Sequence, residues 1–149
     1  VLFRSGAIPA HGMSSSGQFI HPLVIRAKLE IASACHANSK TPSHCVVTEF
    51  NDAAAITLAA RRAFHDFGYT RMWSIHPNQI RPILAAFAPT EGEIEDATKI
   101  IAAAAREEWA PISFEGKLHD RASYRYYWQV LERAHQTGST LPPESQIYF

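Results

Sequence analysis

No surplus of charge marks this sequence: 14 Lys and Arg residues balance 14 Asp and Glu. Without a basic face, nothing gathers phosphate backbones at long range, so nucleic-acid binding is not expected. Long apolar runs are missing as well. The longest aliphatic stretch, Ile100 to Ala105, is far too short to cross a bilayer, so no membrane span is expected. Cysteine is scarce. Cys35 and Cys45 do not make a disulfide framework, which fits a reducing cytoplasm. The first residue is Val rather than Met, and "VLFRS" leads into "GAIPAHGMSSSGQF" with the wrong flanks for a signal peptide. Residues 1–5 are therefore expected to be a non-native leader on a piece of a longer protein.

What is present has a rhythm. After a Gly/Ser-rich loop (6–18), apolar positions Val24, Ala27, Ile31, Ala34 and Cys35 recur at helical spacing behind Pro22, which suits a first helical turn. The stretch "HCVVTEF" packs β-branched residues together, as a buried strand over 44–48 does. Asp52 can cap a second helix whose inward stripe is Ile56, Ala59, Ala63 and Phe67, and Gly68 ends it. Residues 71–75 supply another strand, which stops at His76-Pro77, and a third helix starts after Pro77. Helix alternating with apolar strand argues for α/β architecture, with parallel strands covered by helices. Two strands leave both sheet edges open, so the remaining strands are expected upstream.

Beyond Pro89 the pattern changes. Thr90 and Glu93 form a capping box, and Ile94, Ala97, Ile101 and Ala104 continue an amphipathic helix to about Glu108. "APISFEGKLHD" is expected to be irregular or extended. A last helix from about Asp120 carries Tyr124, Tyr127, Leu131 and Ala134 on one face, with Trp128 nearby as an oligomer or barrel contact. Residues 139–149 are expected to be a loose tail.

Two motifs in this order carry a resemblance. "GYTRMWSIHPNQIRPILAAFAPTEGEIEDA" matches through Gly68, Ile75, His76, Pro77, Gln79, Phe87, Pro89 and Thr90. "FEGKLHDRASYRYY" matches through Gly116, Lys117, Asp120 and Arg121. Over roughly Gly6 to Gly138, the sequence resembles the C-terminal region of the HpcH/HpaI aldolase and citrate lyase beta-subunit family of CoA-ester lyases. The resemblance implies the end of a (β/α)₈ TIM barrel over 6–89, with 44–48 as strand seven and 71–75 as strand eight. A helical extension over 90–138 follows. It also implies Mg²⁺-dependent carbon–carbon cleavage or formation in a hydroxyacyl-CoA thioester, giving an acyl-CoA and a 2-oxo acid. The ion would hold the 2-oxo acid and stabilise oxygen charge, and a second group would handle the proton on the acyl carbon.

By the same resemblance, the metal carboxylates come from strands upstream of residue 1, so no metal ligand is expected here and the fragment alone should be inactive. Asp120 is the candidate catalytic acid/base, reaching a neighbouring subunit's barrel, which implies a homo-oligomer with a shared site. Its bland alternative is a helix N-cap. Glu49 and His76, at the strand ends where such barrels do chemistry, are secondary substrate-binding candidates. Each has a plain packing alternative. Cys35-His36 and His44-Cys45 match no standard zinc spacing. Two other functions stay open: a pyruvate-type class II aldolase acting on free 2-keto acids, and a non-catalytic barrel paralogue or assembly subunit.

Overall fold

A computed structural model describes residues 17–149. The expected leader and most of the expected Gly/Ser loop lie outside those residues. The chain divides after Phe87 into two units, the second running Ala88–Phe149.

The first unit opens with a 3₁₀ turn, Gly17–Phe19, then helix α1, Pro22–Ala37. Pro22 sits at the first turn, where its missing N–H costs nothing. The inward row of α1 differs from the expected one. Val24, Lys28 and Ala32 are buried, while Ile31 is 41% exposed. A charged residue therefore occupies the middle of the buried i, i+4 row. Strand β1 (Ser43–His44) follows, then α2 (Ala53–Phe67), β2 (Arg71–Met72) and α3 (Pro77–Phe87). Asp52 caps α2 by accepting from Ala55 N at 2.9 Å, and Gly68 ends it at φ 70°, a left-handed geometry that glycine adopts without a Cβ penalty. Ile56, Ala59 and Ala63 face inward as the spacing predicts; Ile56 and Ala59 pack with Val47, Met72 and Ile83, and Ala63 with Ala32 and Tyr69.

β1 and β2 pair in parallel, Ser43 opposite Arg71 and His44 opposite Met72. The architecture is α/β, mostly helical with little sheet. Both strands are shorter than the expected 44–48 and 71–75, for a specific reason. After Trp73 N donates to His44 O (3.1 Å), the next backbone groups bond to one side chain instead of to each other. That side chain is Gln79. Along 71–75, Trp73 and Ile75 stand exposed.

In the second unit, the reciprocal capping box of Thr90 and Glu93 starts α4, Glu91–Arg106. Then come β3 (Ile112–Phe114), β4 (Lys117–His119), α5 (Arg121–Thr137) and a short α6 (Pro143–Gln146). The segment expected to be irregular or extended is an antiparallel hairpin. Glu115 and Gly116 form its two-residue turn, both at positive φ (48° and 76°), which is the type I′ signature. Ile94, Ala97, Ile101 and Ala104 of α4 bury against Leu131 and Ala134 of α5. The tail is not loose. Leu141 and Ser145 are buried, Ser145 Oγ bonds Thr98 Oγ1 at 3.2 Å, and Trp128 packs on Tyr148 and Phe149. Those aromatic contacts take Trp128 inside its own unit. Among the described residues, no helix is long and apolar enough to cross a membrane.

Candidate functional site

At the ends of β1 and β2 the chain turns outward, and Gln79 holds both turns. Its Nε2 donates to Val47 O and to Glu49 O, each at 2.9 Å, while its Oε1 accepts from Ile75 N at 2.9 Å. The side chain is fully buried and its hydrogen-bonding capacity is well used. One amide thus replaces the rungs that the two strands would otherwise exchange. Pro77 starts α3 and places Gln79 two residues in, directly behind the exits.

His76 and Glu49 are both at this end of the first unit. The His76 ring packs on Phe50 at a centroid distance of 4.9 Å, and its Nδ1 accepts from Asn78 N at 3.2 Å. That bond puts the ring proton on Nε2. The half-buried Glu49 carboxylate lies within 3.4 Å of Thr48 Oγ1. The candidates are therefore brought to one end of the sheet, with His76 acting first as a local cap.

Asp120 belongs to the second unit. It caps α5: Ala122 N (3.0 Å) and Ser123 N (3.3 Å) both donate to Oδ1, and Ser123 Oγ accepts from Asp120 N at 3.0 Å. Oδ2 carries no hydrogen bond among the described residues. The residue is exposed and lines a cleft of about 580 Å³ with Trp109, Pro111 and Arg121. Glu108 and Trp109 hold positive φ (52° and 64°) on the rim, and Tyr124 Oη donates to Ala110 O at 2.7 Å, fixing that turn from below. A carboxylate oxygen open to a cleft can accept or deliver a proton.

A third cluster escaped sequence reasoning. Lys28 is 3% exposed, and its Nζ donates to Gln18 Oε1 (3.2 Å), His44 Nε2 and Cys45 Sγ (3.4 Å), facing the Phe19 and Tyr69 rings. Among the described residues, no carboxylate is hydrogen-bonded to it. Burial lowers the Lys28 pKa, partly opposed by Cys45. Burial, and then the Lys28 charge, push His44 down to about 3, so its neutral ring donates from Nδ1 to Cys45 O at 2.9 Å. The Tyr69 phenol is pushed up to about 12, by burial first and then by the two cysteines, and its Oη donates to Lys28 O. The signal in the sequence was Lys28 itself, a lysine four residues from Val24 and from Ala32 on the apolar row.

No family model matches the chain. The L-malyl-CoA/beta-methylmalyl-CoA lyase of Cereibacter sphaeroides is 30% identical over 112 residues, 72% of this chain and 35% of that protein. A citrate lyase from Burkholderia xenovorans LB400 is 56% identical at a TM-score of 0.72, over 97% of this chain and 45% of that one. The chain is related to the citrate lyase-like CoA-ester lyases. CitE from Mycobacterium tuberculosis, solved in complex with magnesium, acetoacetate and coenzyme A, is 24% identical at a TM-score of 0.63. That match spans 77% of this chain and 42% of that one, and likeness at this identity carries the fold alone. The chain spans about a third of the length of the curated relatives it matches and less than half of these solved structures.

Magnesium is the ion that the family resemblance implies. Among the described residues, no group of three or more His, Cys, Asp or Glu side chains could hold a metal ion.

Proposed function

We propose that this chain is the C-terminal portion of a carbon–carbon lyase that cleaves or forms a hydroxyacyl-CoA thioester, exchanging it for an acyl-CoA and a 2-oxo acid. The described residues up to 89 are the last part of a TIM barrel, and 90–138 are its helical extension. The observation that carries this reading is the 56% identity to a citrate lyase over 97% of the chain. Two structural features support it. β1 and β2 are parallel neighbours, as consecutive barrel strands are, and among the described residues each has only the other as a partner. An isolated parallel pair is not stable in water, so these edges fit a longer sheet.

Within this reading, Asp120 moves the proton on the acyl carbon, using the oxygen that its helix leaves open, in a site shared with a second copy of the chain. Glu49 and His76 contact substrate at the strand exits. Mg²⁺, present in the CitE complex, is held by carboxylates other than those of the described residues. Two free cysteines fit a cytoplasmic setting.

The test is a chimera in which this chain replaces the segment it matches in the Burkholderia citrate lyase. Released acetyl- or propionyl-CoA is measured from malyl-, methylmalyl-, citramalyl- and citryl-type thioesters, with Mg²⁺ and with chelator. Turnover that chelation abolishes is expected, and Asp120→Asn should lower it by about 10²–10⁴. A folded chimera inert toward every thioester would return the chain to the non-catalytic paralogue reading.

A further inference from the structure

We infer that Lys28 and Cys45 form an oxidant-responsive covalent site, in which the Cys45 sulfur, once oxidised by a peroxide, is captured by the Lys28 amine as a sulfenamide. Lys28 Nζ lies 3.4 Å from Cys45 Sγ and is fixed there by Gln18 Oε1 and His44 Nε2. Lys28 is buried and Cys45 is only partly buried, so the amine is shielded from bulk nucleophiles while the cysteine lies nearer solvent. The groups facing Lys28 come from each element around it: Gln18 and Phe19 from the 3₁₀ turn, His44 and Cys45 from β1 and its end, and Tyr69 from the segment before β2. Among the described residues, the neutral His44 ring and the Tyr69 phenol bring no negative charge to the amine, and Cys45 Sγ donates to Gln18 Oε1 at 3.0 Å, which holds sulfur and amine against one acceptor. Gln18 Nε2 is buried and has no hydrogen-bond partner among the described residues.

The chemistry follows from that arrangement. The form of a cysteine that attacks peroxide is the thiolate. The thiolate takes one peroxide oxygen and, with a proton, gives a sulfenic acid and water; sulfur loses two electrons and peroxide gains them. Oxidation leaves no thiolate beside Lys28. Burial then favours the free amine. Its lone pair attacks sulfur, the N–S bond forms, the S–O bond breaks, and hydroxide leaves as water with one amine proton. The product is lighter than the reduced chain by two hydrogens. A thiol reverses it by attacking sulfur and releasing the amine.

Intact chain is treated with hydrogen peroxide, quenched with catalase, digested and read by peptide mass analysis, with dimedone in a parallel sample to trap sulfenic acid. The expected result is a cross-linked peptide joining the Lys28 and Cys45 regions, restored by dithiothreitol. Cys45 should be consumed about tenfold faster than Cys35, which has no amine bonded to its sulfur among the described residues. Lys28→Arg keeps the positive charge but presents a far weaker nucleophile, so Cys45 should then carry dimedone or proceed to sulfinic acid. If that variant does not fold, wild-type chain treated in guanidinium chloride serves instead and should lose the cross-link at least tenfold. Sulfinic acid at Cys45 with Lys28 unmodified in the folded wild type would overturn the inference. So would oxidation of Cys45 no faster than that of Cys35, or no oxidation at all.

Discussion

Replacing Gln79 by Leu tests whether one buried amide holds the two strand exits together. The substitution conserves most of the volume but removes three hydrogen bonds, to Val47 O, Glu49 O and Ile75 N. Each is worth about 1 kcal/mol net, and leaving its backbone partner buried without a substitute costs about 1–3 kcal/mol. The Val47 end is fully buried, whereas the Glu49 and Ile75 ends are partly open and water recovers part of their loss. Against this, the apolar side chain returns roughly 1–2 kcal/mol of transfer free energy. The net expectation is a loss of about 2–4 kcal/mol, a large share of what holds a small unit folded. Amide hydrogen exchange reads this directly. Ile75 N–H should lose its protection, the amides of α2 and α3 should follow, and those of the second unit serve as the internal reference. Gln79→Glu sharpens the test. Its second carboxylate oxygen would face two carbonyl oxygens, which raises that carboxyl's folded pKa above the unfolded value. Stability would then be present at low pH, where the acid donates, and lost as pH rises through the raised pKa. If Gln79→Leu costs less than about 1 kcal/mol with Ile75 still protected, the stitching argument is wrong.

Three further outcomes are expected. Asp120→Ala should cost the second unit about 1 kcal/mol and Asp120→Asn only a few tenths in thermal unfolding, since Asn caps nearly as well. An equal loss in both would point to a role beyond the cap. Acid should destabilise the first unit through His44: with a folded pKa of about 3 against 6.5 unfolded, its contribution is present above pH 6.5 and lost as pH falls toward 3. Urea midpoints across that range should drop, and His44→Gln should flatten the profile. Leu141→Ala should cost the second unit about 2–4 kcal/mol in urea unfolding, because Leu141 is 6% exposed inside the core. A smaller effect would restore the loose-tail expectation.

The parts of this fold that were legible are those written in local code. Asp52, Thr90 with Glu93, and Gly68 mark helix ends by side-chain chemistry that acts within four residues, and each appears where its motif stands. The α2 and α4 stripes were legible because their rows are apolar throughout. The α1 row was not, because its middle position is Lys28, and a period count discards a lysine that only tertiary burial explains. Strand length was misjudged for a related reason. Val46 and Val47 are buried as the β-branched run predicts, but whether buried backbone joins a ladder depends on competing partners. Here the competitor is an amide 30 residues or more downstream. The hairpin was missed because its turn is Glu-Gly, a weaker signal than Asn-Gly or Asp-Gly. Of the candidate site, the motif positions were visible, while their division into supports and open groups required coordinates.

That division bears on which candidate can move a proton. His76 Nδ1 is occupied by Asn78 N–H, so the ring offers substrate only an Nε2 donor. To serve as a base through Nε2 it would first have to shift its proton to Nδ1, giving up the cap at the start of α3. A donor in that position can orient a carbonyl or carboxylate oxygen but cannot take a proton from carbon. Asp120 is arranged the other way. Its helix takes both bonds on Oδ1 and leaves Oδ2 unengaged beside a cleft, so capping and proton transfer use different atoms of one carboxylate. The two roles do not compete. Of the two, only the aspartate can act as acid and base without dismantling the local structure that positions it.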